Sequence, residues 1–328
     1  MRAFVTGHRG YIGTHLVDVL KKEGHTVVGC DLGLFDGCAW EPFASADKEF
    51  RKDIRSVEVA DLEGCDCVMH LGAISNDPMG AIDAELTFAV NRDASIRLAK
   101  IAKRAGVPRY LFAGSCSVYG RGDKLDLDEN DPLNPLTAYA KSKIETERAV
   151  SELADGSFCP VFLRNATAYG HSPMLRIDLV VNNLLAYGEI RIQSDGSPWR
   201  PLIHCRDIAR AFAAFAAAPR DAVFNRAVNV GADGENYQVR RIGDEVARLI
   251  PSARIVYTGE VGADPRDYRV RFGLLSRLLP DFELSYDLRT GMEELFAKML
   301  EHSFSKRDFE GDQFVRLRTL KKRRELLA

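Results

Sequence analysis

Five short apolar runs, each separated from the next by at least one stretch of helical spacing or a glycine-marked turn, constrain the fold more than any other feature. Ala3–Val5, Thr26–Cys30, Cys67–Leu71, Tyr110–Ala113 and Pro160–Leu163 are apolar at successive positions, the pattern of strands buried on both faces. Ile12–Lys22, Ala84–Ala105 and Ala138–Leu153 repeat their apolar residues at helical spacing, and Gly24 and Gly106 stand where helices stop. Alternation of this kind implies an α/β fold with a doubly wound parallel sheet. After about Asn165 the pattern loosens, with helices expected over Leu179–Tyr187, Ile208–Ala218 and Gln238–Ile250 between short strands and turns. The expected organisation is a first domain over 1–165, a smaller α/β region over 166–300 and a basic tail over 301–328.

Bulk properties exclude several classes. With 328 residues, 46% of them hydrophobic, the chain can bury a large core. A net charge of −2 calls for neither nucleic acid nor an anionic membrane. The first residues read directly as a strand, with no room for a signal peptide, and the apolar stretch Ala209–Ala218 is too short to span a bilayer. The seven cysteines are scattered without a C-x-x-C pair, which argues against a disulfide framework or structural metal and for a reducing, cytoplasmic setting. The run from Arg316 to Arg324 reads as the solvated face of a helix.

Chemistry first enters at the turn Thr6–Gly13, which joins the first strand to the first helix. Gly7, Gly10 and Gly13 form a G-x-x-G-x-x-G pattern that also carries Arg9, Tyr11 and Ile12. Glycines here let backbone N–H groups approach a pyrophosphate and let helix and strand pack closely. Asp31 ends the second strand, where its carboxylate would bind ribose hydroxyls and repel a 2′-phosphate. That favours NAD over NADP. Arg9 pulls the other way, since a guanidinium in this loop could meet a 2′-phosphate.

Tyr139 and Lys143 open a helix after a proline-rich turn and, four residues apart, share one face of it. At about 5 Å and an effective dielectric near 20, a lysine would stabilise a tyrosinate by about 3 kcal/mol. The expectation is a phenol whose pKa is drawn down toward that of a usable base.

Taken together, TGHRGYIG, Asp31, Asp53–Ile54, His70–Ala73, Asn91, SCSVYG and YAKSK resemble the extended short-chain dehydrogenase/reductases. Within them the match is to the NAD-dependent epimerase/dehydratase group that modifies nucleotide sugars, and it runs from residue 1 to about residue 300. The resemblance implies a catalytic set of Ser115, Tyr139 and Lys143. It implies an adenine bracket at Asp53 and Ile54, and further cofactor contacts at Leu71, Gly72, Ala73 and Asn91. Ser117, Asn165, Asn183, Arg200 and Arg266 match contacts to a nucleotide-diphosphate sugar, although the spacing of Arg266-Asp267 departs from the usual pattern. It implies a homodimer formed through the helices at 84–105 and 138–153.

Sugar 4,6-dehydratases of this group carry an acidic pair after the catalytic serine or threonine, where this chain has Cys116 and Ser117. The expected activity is therefore 4-epimerization, with a dehydratase or an NAD(P)-dependent oxidoreductase as the alternative. A non-catalytic NAD-binding regulator is the reading from another class.

Overall fold

The computed structural model describes residues 1–121, 125–185, 189–192, 194–257, 259 and 266–327. Its centre is a seven-stranded parallel sheet. In chain order the first six strands are β1 (Arg2–Thr6), β2 (Thr26–Cys30), β3 (Lys48–Phe50), β4 (Cys67–His70), β5 (Arg109–Ser115) and β6 (Cys159–Asn165). The second half adds β7 (Thr167–Tyr169), β8 (Glu189–Ile192), β9 (Trp199–His204), β10 (Arg226–Val230), β11 (Asn236–Gln238) and β12 (Arg254–Tyr257). The central order is β10-β6-β5-β4-β1-β2-β3, so chain direction across the sheet reverses at β1. The five apolar runs supply β1, β2, β4, β5 and β6, and β4 and β6 are buried along their whole length.

The boundary expected at 165 does not separate two sheets. β10 comes from the second half and pairs in parallel with β6, with Arg226 beside Val161 and Val230 beside Asn165. The remaining strands form a small three-stranded sheet, β11-β9-β7, and the pair β12-β8.

The principal helices of the first two thirds are α1 (Gly13–Lys22), α2 (Asp77–Gly80), α3 (Ala84–Phe88), α4 (Ala94–Arg104), α5 (Ala138–Ser151), α6 (Val180–Leu185) and α7 (Cys205–Ala217). On one face of the sheet Leu16, Val17 and Leu20 of α1 join Phe212 and Phe215 of α7 in a single core. On the other, Leu98 and Ile101 of α4 and Val150 of α5 meet Phe112, Phe158 and Phe162. The helix expected over Ala84–Ala105 is interrupted. Ala89–Asp93 widens into a π-turn between α3 and α4, a feature often found beside functional sites.

The tail presents the solvated face expected of it on one side only, and the other side is buried. In the Arg316–Lys322 helix Arg316 is 2% exposed, and Leu320 and Leu327 pack with Ile54 and Val90. Only the outward side of the run, including Lys321 and Lys322, meets water.

Candidate active site

A cleft of about 300 Å³ opens over the carboxyl ends of the central strands, where the order reverses between β1 and β4. Gly7, Gly10, Tyr11, Ile12 and Gly13 line its floor. Gly7 has φ +69° and donates its N–H to the carbonyl of Cys30 at 2.9 Å. A Cβ on Gly13 would stand 2.0 Å from the Gly7 carbonyl oxygen, so only glycine lets α1 begin this close to the turn. The amino end of α1 thus faces the cleft with its amides and its partial positive charge, a cradle suited to a dinucleotide pyrophosphate.

Asp31 lines the cleft at the end of β2. Its carboxylate accepts the N–H of Gly33 at 2.8 Å and that of Arg9 at 3.3 Å. The Arg9 side chain does not line the cleft, and its guanidinium lies beside the β2 end, 3.3 Å from Glu49 and 3.4 Å from Asp36. Asp53 and Ile54 line the same end, with Asp53 held by the N–H of Arg55 at 2.7 Å.

Leu71, Gly72 and Ala73 form the opposite side of the floor. Beneath them Thr6 Oγ1 accepts the Gly72 N–H at 3.0 Å and meets His70 Nδ1 at 2.6 Å. Burial lowers His70 to about 3, so it is a neutral link, its second nitrogen 2.7 Å from Ser95.

Asn91, expected to touch the cofactor, is instead fully buried outside the cleft lining. Its amide accepts the Ile74 N–H at 2.8 Å and donates to the Ile74 carbonyl at 2.9 Å. The π-turn aims this side chain at the loop after β4, so Asn91 holds the backbone of that loop.

Ser115, Tyr139 and Lys143 come together on the cleft wall. Ser115 ends β5, and its Oγ accepts the Ser117 N–H at 3.1 Å, capping the turn Cys116–Tyr119. Thr137 caps α5 through the Ala140 N–H at 3.1 Å, which fixes Tyr139 and Lys143 in its first turns. A buried ion pair anchors the same helix to β6, with Arg164 Nε donating to Glu147 at 3.1 Å.

Lys143 is buried, and its ammonium donates to the Ala113 carbonyl at 2.9 Å and lies 5.7 Å from the Tyr139 ring centre. The groups around the phenol do not supply the expected drop in its pKa. Burial and the charge of Asp77 push the phenol up to about 12, against the opposing hydrogen bond with Ser115. Burial also draws Lys143 down to about 7. Desolvation outweighs the attraction between the two groups until more charge enters the cleft.

Ser117 and Asn165 also line the cleft, and each carries a buried oxygen, Oγ and Oδ1, without a partner. Unsatisfied acceptors on a cleft wall are places for a polar ligand to bind. Cys116 points the other way. It packs in the core with Val118 and Tyr119, its thiol donates to the Arg164 carbonyl at 3.1 Å, and burial raises its pKa far above neutral. An acid role for this thiol is ruled out by its place.

The expected substrate contacts divide. Arg266 lines the cleft and is ion-paired with Asp77, which also accepts the Thr137 hydroxyl. Arg200 does not line it and donates to the Arg266 carbonyl at 2.6 Å, so it supports the backbone that carries Arg266. Asn183 is exposed and donates to the Ile177 carbonyl at 3.1 Å, outside the cleft. Its neighbour Asn182 is the buried one, accepting the Gly170 N–H at 2.9 Å and donating to the Tyr11 hydroxyl at 3.1 Å.

Arg176 and Tyr268 also line the cleft, and Arg176 is held by Asp178 at 3.0 Å. Tyr268 and the tail residues carried no sequence signal. Among the described residues no group of His, Cys, Asp and Glu could hold a metal ion, and no helix is long and apolar enough to cross a membrane.

A sequence model of the NAD dependent epimerase/dehydratase family matches residues 3–231. The chain belongs to that family. One similar epimerase/dehydratase is the UDP-glucose 4-epimerase of Mycolicibacterium smegmatis, 29% identical over 294 residues that cover 84% of this chain and 88% of the relative. Among solved structures, MoeE5 in complex with UDP-glucuronic acid and NAD is 27% identical with a TM-score of 0.80, covering 92% of this chain and 99% of its own. TunA, a NAD-dependent NDP-hexosamine 5,6-dehydratase, shares the fold with a TM-score of 0.82 at 23% identity, covering 92% of this chain and 98% of its own. This chain is an enzyme of that family.

Proposed function

We propose that the chain is an NAD-dependent nucleotide-sugar epimerase that inverts a sugar hydroxyl at C4. The observation that carries this reading is the contrast at the end of β5. Ser115, Tyr139 and Lys143 share the cleft wall with Ser117, whereas Cys116 faces the core. A conventional 4,6-dehydratase needs an acid and a base at the positions of Cys116 and Ser117, and neither can serve. The carboxylate nearest in the cleft, Asp77, is committed to Arg266 and Thr137. UDP-sugars are the substrates to try first, because the similar proteins act on or bind them.

The dinucleotide, when bound, supplies the hydride acceptor and a positively charged ring beside the phenol. The chain does the rest. Gly7 to Gly13 and the amino end of α1 hold the pyrophosphate, and Asp31, Asp53 and Ile54 hold the adenosine. Tyr139 removes the proton from the sugar hydroxyl, Ser115 hydrogen-bonds the same oxygen, and Lys143 stabilises the tyrosinate. Arg266 and Asn165 bind the nucleotide-diphosphate sugar, with Arg200 acting through the backbone of Arg266. Remote binding of the diphosphate orients the sugar, which must turn its other face before the proton returns. The test is a C4-labelled nucleotide hexose, followed for an epimer of unchanged mass.

NAD rather than NADP is the proposed cofactor. Around the β2 end, Arg9 and Arg51 are matched by Asp36 and Glu49, and Asp31 adds a further negative charge. A 2′-phosphate would meet net repulsion there. Calorimetry should give NAD at least about tenfold tighter than NADP, a difference of about 1.4 kcal/mol. Asp31→Ala should narrow that gap, and equal binding by the unaltered chain would reverse the assignment. A homodimer through α3, α4 and α5 is part of the same proposal, and light scattering at micromolar concentration should find two copies.

A further inference from the structure

The basic tail lies outside the matched family region, yet it reaches the cleft. Arg316, Leu320 and Leu327 line it, and Leu320 and Leu327 do so beside Leu34 and Ile54, at the end read as that of the adenosine. The segment is tied down at several points. Arg323 donates to the carbonyls of Leu34 and Asp36, both at 2.9 Å, and Arg55 donates to the Leu327 carbonyl at 2.7 Å. Leu320 and Leu327 close an apolar cluster with Leu34, Ile54, Met79 and Val90.

Arg316 is the unusual member. It is 2% exposed, and its hydrogen bonds go to the carbonyls of Met174 and Leu175, both at 3.0 Å, and of Gln313 at 2.5 Å. Its guanidinium also lies over the Phe35 ring at 5.2 Å. The nearby carboxylate of Asp178 is taken by Arg176 at 3.0 Å. Burial lowers Arg316 only to about 10, so it stays charged at neutral pH. A buried cation bonded to neutral partners on a cleft wall is expensive unless an anion joins it.

We infer that the tail is the outer wall of the dinucleotide cleft, with Leu320 and Leu327 covering the adenosine and Arg316 facing the diphosphate. This rests on the dinucleotide reading above. A wall of this kind slows cofactor exchange, which suits a reaction that returns its cofactor to the starting state in each cycle. It ill suits a dehydrogenase that must swap cofactor with solvent.

The experiment loads the protein with NADH, chases with excess NAD and follows the loss of bound-nucleotide fluorescence. A chain ending at Val315 and the point variant Leu320→Asp should release NADH at least about tenfold faster than the intact chain. Arg316→Gln should weaken NAD binding about tenfold and flatten its dependence on salt, a readout that a purely structural role would not move. If the shortened chain fails to fold, the two point variants carry the test. Unchanged or slower release from folded Leu320→Asp, or unchanged affinity and salt dependence in Arg316→Gln, would overturn the proposal. Failure of the intact chain to bind NADH would instead strike the dinucleotide reading, and the wall with it.

Discussion

Tyr139→Phe should lower kcat by about three orders of magnitude while leaving the Kd for NAD within about twofold of the intact chain. The substitution removes one oxygen and keeps the ring, so packing against Lys143 survives. What is lost is the group proposed to take the hydroxyl proton beside Ser115. Because burial pushes this phenol up to about 12, its ionisation must be helped by charge entering the cleft. The pH profile of kcat should accordingly break well below the ligand-free value of the phenol once cofactor is bound. Near-normal turnover by the phenylalanine variant would remove Tyr139 from the mechanism.

Lys143→Met should have two effects of opposite sign. Turnover should fall on the order of 10²-fold or more, because the cation beside the tyrosinate is gone. Thermal stability of the ligand-free protein should rise. Burial lowers the folded-state pKa of Lys143 from 10.5 to about 7. Between those values the unfolded chain still holds a proton that the folded chain has lost, so the folded state gains stability as pH rises through the window. At pH 7 and below the whole penalty is present, about 5 kcal/mol by linkage. Loss of the hydrogen bond to Ala113 would offset about half of it. The variant should therefore melt a few degrees higher at pH 6, with the difference shrinking toward pH 10. A variant that melts lower at pH 6 would show that the lysine is not a burden on the fold.

Much of this architecture can be read in the chain because strands buried on both faces leave uninterrupted apolar runs. β1, β2, β4, β5 and β6 all announce themselves that way. β3 does not, since Lys48-Glu-Phe50 is a short edge strand with charged side chains. That omission matters, because Glu49 on β3 is one of the two carboxylates that pair with Arg9. β10 was hidden for another reason: its pairing with β6 joins segments more than sixty residues apart, which no local pattern reports.

In the site, spacing alone places Tyr139 and Lys143 on one face of α5, and the glycine turn specifies its own ligand class. Side-chain direction is less accessible. Cys116 and Ser117 are adjacent in a tight turn, yet one faces the core and the other the cleft. Asn182 and Asn183 show the same divergence on α6. A charge run such as that of the tail predicts a solvated face, which holds for its outward side alone. Arg316 is buried by carbonyls 141 and 142 residues away, at Leu175 and Met174, a partnership invisible in sequence.

The central claim is a redox-neutral inversion at C4 by Ser115, Tyr139 and Lys143. The most direct test is to incubate the protein with NAD and a nucleotide hexose carrying deuterium at C4, then analyse the product by NMR and mass spectrometry. The account predicts the C4 epimer, unchanged in mass, with deuterium retained at C4 and no net accumulation of NADH. A product lighter by one water, or NADH formed in proportion to substrate consumed, would contradict it.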